Sequence, residues 1–524
     1  MKRIKKIASI ILAMAMVFAM GITAFATEVP KTYSITINNE AEGHTYEAYQ
    51  ILAGTLAEDE GKLVLSDIDW GTGITDAGKT ALGNGTTQKD AAAYAETLEN
   101  IGSNSQDAAD LAQILGQYLA TATGTTNKQT DGKYVISGLA PGYYLVKDKD
   151  GSLSGNDNYT TFILEVVGEA IVEPKNTGTP TPDKQVKDKN DTTGDVSEWQ
   201  SSADYDIGDT IDYLLKATLP STINSYDTYK LIFHDELSTG LDYVENSVVV
   251  KKGESIIDED AYTITYEDHK LTVTFNDVKK EPVSAVNGDV ITVEYKATLN
   301  EQAKVGAEGN LNTLTLEYSN NPNSTGDGDN DSTGTTPPKT AVVFTFQTIV
   351  NKVDENNESL EGAEFTLSKL IKGEEGEDDT WKVIKTINGV TTFTFNGLDD
   401  GRYKLEESKT PDGYNTIDPV YFTIEATHDA GKGVGSTTEG EQGALTELNV
   451  YATDEQGKKL TGDNVTKFTV AISAGSATTD IMNMKGSILP STGGIGTTIF
   501  YVVGGILVIG AGILLVTKRR MKAQ

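Results

Sequence analysis

Three stretches of this chain alternate apolar and polar residues with a period of two: Lys270-Leu-Thr-Val-Thr-Phe275, Val290-Ile-Thr-Val-Glu-Tyr-Lys296 and Leu314-Thr-Leu-Glu-Tyr318. Successive side chains of a strand point to opposite faces, so each stretch is a strand with one face on a core. Strands of this kind at short spacing, separated by Gly and Asn/Asp turns, predict β-sandwiches. The beginning of the chain is mixed. Strand patterns at Tyr33–Ile37 and Thr161–Val167 flank two helical patterns, 91–101 and 107–119. Two runs of linker chemistry interrupt the chain, Asn176-Thr-Gly-Thr-Pro-Thr-Pro182 and the Asn/Ser/Thr/Gly/Asp-rich stretch from Asn320 to Pro338. At roughly 100–200 residues per domain, 524 residues suit three such units. The expected fold is mainly β: three tandem immunoglobulin-like β-sandwiches over 27–174, 183–320 and 340–488, the first with helical insertions. Linkers are expected at 175–182 and 321–339.

Composition removes several functions. The chain has no cysteine, which excludes disulfides, thiolate nucleophiles and cysteine metal sites. Four histidines (His44, His234, His269, His428) make a histidine-based metal or triad site unexpected, and neither cofactor nor metal is expected. With 43 basic against 77 acidic residues, a net charge of −34 opposes nucleic-acid binding. The acids Asp327, Asp329 and Asp331 alternate as in a calcium loop. However, Ser332 stands where the loop needs glycine, and Pro338 where it needs a bidentate glutamate. This stretch is therefore assigned as linker.

The two ends carry transport information. Met1-Lys-Arg-Ile-Lys-Lys6 precedes an apolar run to Ile22 and then Ala24-Phe25-Ala26. A basic start, an apolar stretch and an A-x-A site make a secretory signal peptide, 1–26, cleaved after Ala26. At the other end, Leu489-Pro490-Ser491-Thr492-Gly493 is followed by an uncharged stretch, 494–517, long enough to span a membrane, and by the basic tail 518–524. This order resembles the cell-wall sorting signal of Gram-positive surface proteins, which implies cleavage by a sortase between Thr492 and Gly493. It also implies a membrane-bound precursor and a mature chain secreted and fixed to peptidoglycan. The ends hold eight basic residues and no acids. The chain from 27 to 492 therefore keeps 35 basic against 77 acidic residues, a net −42.

The third block holds Asn351-Lys352-Val353-Asp354, then Tyr403-Lys-Leu-Glu-Glu407-Ser408 with Pro411-Asp-Gly-Tyr414, and ends in Asp480-Ile-Met-Asn483-Met-Lys485. It resembles the collagen-adhesin B-type domain, in which a first-strand lysine bonds to a last-strand asparagine. The resemblance implies that Lys352 is the nucleophile, Asn483 the acceptor and Glu407 the catalyst. The chemistry is sound, because burial favours the neutral amine of a lysine and a buried acid can assist an amide's departure. In the middle block, Lys184 lies near the start. Leu231-Ile-Phe-His-Asp235-Glu-Leu-Ser-Thr-Gly-Leu241 resembles the D-x-L-x-x-G-L turn of fimbrial shaft proteins, and Asn310-Leu-Asn312 opens the last strand. The resemblance implies Lys184 as nucleophile, with Lys187 as rival, and Asp235 as catalyst. Asn312 is preferred over Asn320 as partner because first and last strands are expected to run parallel, with Asn310 also open. His234 beside the aspartate is assigned no role. The first block repeats the third, with Gly138-Leu139 before Gly142-Tyr-Tyr-Leu-Val-Lys-Asp148 and Gly397-Leu398 before Gly401-Arg-Tyr-Lys-Leu-Glu-Glu407. Its first strand has no lysine, so no internal cross-link is expected there.

Val172-Glu-Pro-Lys175 resembles the pilin motif W/Y-x-x-x-V-x-V-Y-P-K. It departs from the motif where Val166, Ala170 and Glu173 replace the aromatic, the first Val and the Tyr. Taken whole, the chain resembles the major pilins of sortase-assembled Gram-positive pili. That resemblance implies a structural subunit rather than a turnover enzyme. A class C pilin sortase would join Thr492 to Lys175 of an identical subunit, and a housekeeping sortase would pass the fibre to peptidoglycan. Tip or basal minor pilins are further partners, and the fibre would support adhesion. The alternative is a wall-anchored monomeric adhesin that binds host matrix on the same stalk domains.

Overall fold

The computed structural model describes residues 31–486 and 518, apart from 60, 84–87, 89, 99–105, 127–128, 131, 154–155, 174–177, 325–331 and 437–442. Six sheets pack as three sandwiches along the chain. Among the described residues no helix is long and apolar enough to cross a membrane; the segments 7–22 and 494–517 lie outside them.

In the first sandwich, the opening strand Tyr33–Asn38 pairs antiparallel with Lys133–Leu139 and parallel with Ala170–Val172. The facing sheet is built on Tyr46–Asp59 and Gly142–Asp148. Both faces of that sheet are covered. One packs against the first sheet through Ile35, Tyr134, Val146 and Phe162, and the other against the helices through Leu98, Leu111, Leu115 and Leu145. Gly142–Asp148 is buried along its whole length. This explains why Gly142 to Val146 form a continuous apolar run rather than an alternating one. The helices are Asp76–Ala81, Ala91–Leu98 and Gln106–Gly116.

The third sandwich repeats this plan. Its opening strand Phe346–Val353 pairs antiparallel with Thr392–Leu398 and parallel with the closing strand Ser476–Met482. The facing sheet is built on Glu364–Ile371, Gly401–Lys409 and Val420–His428. Gly138 and Gly397 occupy the same place in the two repeats, and both adopt left-handed φ values, +81° and +77°. Glycine alone does so without steric cost.

The middle sandwich differs. Its opening strand Thr181–Val186 lies at the edge of one sheet, antiparallel to Thr210–Thr218. The strand Asn310–Ser319 belongs to the opposite sheet, between Leu231–Leu237 and Lys339–Phe344. The expected parallel pairing of first and last strands is therefore not formed here; the two strands sit in different sheets. The unit also extends past residue 320. Thr333–Thr335 and Lys339–Phe344 both pair with Asn310–Ser319, so the end of the 321–339 stretch is part of the sheet rather than a linker. Only Thr345 separates this sheet from the third sandwich.

The seams are packed. At the first, Asn320 accepts from the Tyr159 N–H at 2.8 Å and donates to the Asp157 carbonyl at 3.0 Å. At the second, Val342 and Phe344 join the core of the third sandwich. There the buried Lys369 reaches Asp206 at 2.6 Å and Asp399 at 3.0 Å. His428 meets Ser202 at 2.8 Å and Asp188 at 3.1 Å. Burial alone would lower the Lys369 pKa. The charges of Asp399, Asp206 and Asp191 outweigh it and hold the group above its usual value, so it stays an ammonium.

Candidate cross-linking sites

Strand phase points the third-unit trio inward. Along Phe346–Val353, residues Phe346, Thr348, Val350 and Lys352 are buried in turn, and along Gly401–Lys409 so are Gly401, Tyr403, Leu405 and Glu407. Beyond the closing strand, Asn483 continues the inward phase of Thr479 and Ile481. The parallel register sets Lys352 beside Ile481 and Val353 beside Met482, one residue short of Asn483. Lys352 is 1% exposed, Glu407 7% and Asn483 0%. The Lys352 Nζ donates to Asn483 Oδ1 at 2.7 Å and to the Ile481 carbonyl at 2.8 Å. The Asn483 amide nitrogen donates to both Glu407 oxygens, at 2.8 and 3.0 Å, and Glu407 Oε1 lies 3.8 Å from the amine. The turn Pro411–Tyr414, left-handed at Gly413, holds this arrangement. Thr410 Oγ1 and the Ile417 N–H donate to Glu407 Oε2, and Asn415 N donates to the Met484 carbonyl beside Asn483.

Burial depresses the Lys352 ammonium to about 8, although the Glu407 charge opposes the shift. At pH 7 about one molecule in ten then carries the neutral amine, against about one in 2,500 for an ordinary lysine. The site thus sets an amine that burial makes more readily neutral against an amide oxygen, with a carboxyl group on the amide nitrogen.

The middle unit assembles a second site across its two sheets. Lys184, 1% exposed, points inward in phase with Val186. Asp235 and Asn312 face it from Leu231–Leu237 and Asn310–Ser319 of the opposite sheet, both fully buried. Lys184 Nζ lies 2.5 Å from Asp235 Oδ1, above the rings of Tyr213 and Tyr295. The Tyr295 hydroxyl donates to Asp235 Oδ2 at 2.5 Å and accepts from the Asn312 amide nitrogen at 2.5 Å. No hydrogen bond joins Lys184 to Asn312; the link runs through Asp235 and Tyr295. Asn312 Oδ1 is buried without a hydrogen-bond partner. Burial lowers the Lys184 ammonium to about 8 against the pull of Asp235. Burial, with the Asp235 charge, raises the Tyr295 phenol well above its usual value, so it remains a proton donor.

The rival residues are engaged elsewhere. Asn310 holds the Lys304 backbone and the Val343 carbonyl, Asn320 the first seam, and Lys187 lies over Trp199. His234 turns away from the core to Glu317 at 2.9 Å. Tyr295 and Tyr213 are the residues that sequence reasoning missed. Their only signal was an inward phase on neighbouring strands, where register sets them opposite each other. In the first unit, the buried Asp148 meets His44 at 2.8 Å and the Thr160 N–H at 2.8 Å. Lys175, the Leu489-Pro490-Ser491-Thr492-Gly493 motif and the Ala24/Ala26 site lie outside the described residues.

Comparison with known proteins bears on most of the chain. Residues 207–322 match the Gram-positive pilin backbone subunit 2, Cna-B-like domain; 346–439 match a prealbumin-like fold domain; and 485–522 match the LPXTG cell wall anchor motif. The trypsin-resistant surface T6 protein of Streptococcus pyogenes serotype M6 is 27% identical over 455 residues, 77% of this chain and 78% of that protein. Among solved structures, the T6 backbone pilin of serotype M6 Streptococcus pyogenes, described as a modular three-domain structure, superposes with a TM-score of 0.52. The identity is 18%, over 88% of this chain and all of that one, a likeness of fold. A chain made of these domains and closed by a wall-anchor motif is a major shaft subunit of a Gram-positive pilus, fixed to the cell wall.

Proposed function

We propose that this shaft subunit cross-links itself internally twice and is then joined end to end. In the third unit, neutral Lys352 attacks the Asn483 side-chain carbon. Its proton passes to Glu407 and on to the departing nitrogen, so one C–N bond forms, one breaks, and ammonia leaves. In the middle unit, Lys184 attacks Asn312 in the same way, with Asp235 taking the proton. Tyr295 holds the amide and, with Asp235, orients it. This middle step needs Lys184 to swing from Asp235 toward Asn312. The observation that carries the reading is the Lys352 amine at 2.7 Å from Asn483 Oδ1 while Glu407 grips the leaving nitrogen.

Polymerisation follows from the two ends of the mature chain, 27–492. A pilin sortase cleaves after Thr492 and Lys175 of the next subunit takes the acyl group. A housekeeping sortase moves the finished fibre to peptidoglycan. Lys175 lies between the last strand of the first sandwich, Ala170–Val172, and the opening strand of the middle one, Thr181–Val186. In sequence it falls in the segment that connects two units, and connecting segments are where sites of enzyme action concentrate.

The test is mass spectrometry at two levels. The intact chain 27–492 is expected to be lighter than its sequence by two ammonias, with cross-linked peptides Lys352–Asn483 and Lys184–Asn312. Wall digests are expected to yield a Thr492–Lys175 peptide. An unmodified intact mass overturns the internal bonds, and wall digests holding only monomers overturn the polymer.

A further inference from the structure

The seam between the middle and third sandwiches crowds acids that its cations do not neutralise. Lys369 takes Asp206 and Asp399, and His428 takes Asp188 and lies 3.8 Å from Asp204 Oδ1. Asp204 ends the strand Ser202–Asp204 of the middle unit. Asp399 and Asp400 form the turn between Thr392–Leu398 and Gly401–Lys409 of the third. Carboxylate oxygens of Asp204, Asp399 and Asp400 all lie within 4.8 Å of one another. Asp204 is 2% exposed and Asp399 0%. Independently of this clustering, Asp204 Oδ2 is buried with no donor. A buried carboxyl oxygen left without a partner is costly, so a missing donor or cation is implied. Asp399 and Asp400 already hold the donors within reach, the Asp400 N–H at 2.7 Å and the Asn190 amide at 2.5 Å.

The donors narrow the missing group. Carboxylate oxygens within 4.8 Å of one another can share one calcium ion, which binds oxygens at about 2.4 Å in a flexible geometry. A donor set of carboxylate oxygens suits a hard cation and not zinc or copper. Asp400 is half-buried, so water can reach the ion and complete its coordination. We propose that Asp204, Asp399 and Asp400 bind one calcium ion that ties the middle sandwich to the third. Composition argued against a histidine-built metal site; this one is built from aspartates drawn from two units. Its consequence is mechanical, since an ion shared by two sandwiches resists their bending apart along the shaft.

The experiment is calorimetric titration of calcium chloride into chelator-treated chain 27–492 at about 0.15 M salt, where diffuse attraction to the acidic surface is screened. One saturable site is expected, with a dissociation constant on the order of 10⁻⁴–10⁻³ M, as in extracellular calcium modules. Asp204→Asn and Asp400→Asn are each expected to weaken it at least tenfold, while the exposed Asp463→Asn leaves it unchanged. Calcium is also expected to raise the melting temperature of the wild type and not of the two site variants. No saturable binding into the millimolar range, or binding undiminished in Asp400→Asn, overturns the proposal. Asp400 sits at the rim, so that variant decides the matter even where Asp204→Asn fails to fold.

Discussion

Replacing Glu407 with alanine removes the group that holds both hydrogen bonds from the Asn483 amide nitrogen, at 2.8 and 3.0 Å, and the anion 3.8 Å from Lys352. The amine and the amide stay buried together, but the proton has no carrier between them. The variant is therefore expected to fold and to keep one ammonia that the wild type loses. The energetic cost follows from chain length. Lys352 and Asn483 are 131 residues apart, and closing a loop of that size removes unfolded-state entropy worth about 5 kcal/mol. At roughly 2–4 °C per kcal/mol for a unit of this size, the third sandwich is expected to melt about 10–20 °C lower. Intact mass and calorimetry on the same samples read both effects. Asn483→Ala separates the bond from the buried carboxylate, since it lacks the acceptor but keeps Glu407. Its mass defect and melting temperature should fall close to those of Glu407→Ala. A Glu407→Ala chain with the wild-type mass defect would falsify the catalytic role, and one that loses the bond without losing stability refutes the loop-entropy argument.

In the middle unit, Asn312→Ala should retain one ammonia; the loss of a normal complement from that variant would move the acceptor elsewhere. Tyr295→Phe removes the hydroxyl between Asp235 and Asn312, and should slow closure of that bond while leaving the third unit unaffected, as followed by peptide mapping over time. Because the Lys352 ammonium titrates near 8, the slowed variant Glu407→Asp should close its bond about tenfold faster for each pH unit up to 7 and level off above about 8. A rate independent of pH removes amine deprotonation from the mechanism. Glu165, in the first sandwich, is pushed up to about 7 by burial, against a backbone hydrogen bond from Leu65. A carboxyl raised on folding favours the native state while protonated, fully so below its unfolded value near 4.3, and that contribution is lost as pH rises through 7. Glu165→Gln should therefore raise the first unit's melting temperature by a few degrees at pH 8, and the gain should vanish near pH 4; an equal gain at both pH values refutes the assignment.

Much of the candidate chemistry was legible because strands repeat every two residues. Once Val350 and Leu405 are assigned to a core, Lys352 and Glu407 must face it too, and the same parity carries Asp235 inward with Phe233 and Asn312 inward with Leu314. The repeat between the first and third sandwiches was visible in the same way, since both need glycine at one left-handed turn. Parity says which face a residue takes; it does not say which strand lies opposite. The strand of Lys184 sits across the sandwich from Asn312 instead of beside it, and Lys339–Phe344, read partly as linker, closes the middle sheet. Tyr295 enters the middle site for the same reason, through pairings of distant strands. The second seam is the extreme case. Lys369 and Asp206 are 163 residues apart, and Asp204 meets Asp399 and Asp400 from another sandwich. Sequence alone determined the β architecture, the C-terminal wall-anchor motif and the inward lysines, because these depend on local pattern. Tertiary structure decided which acids and amides those lysines meet, because a contact between remote strands depends on how the sheets pack and leaves no period in the chain.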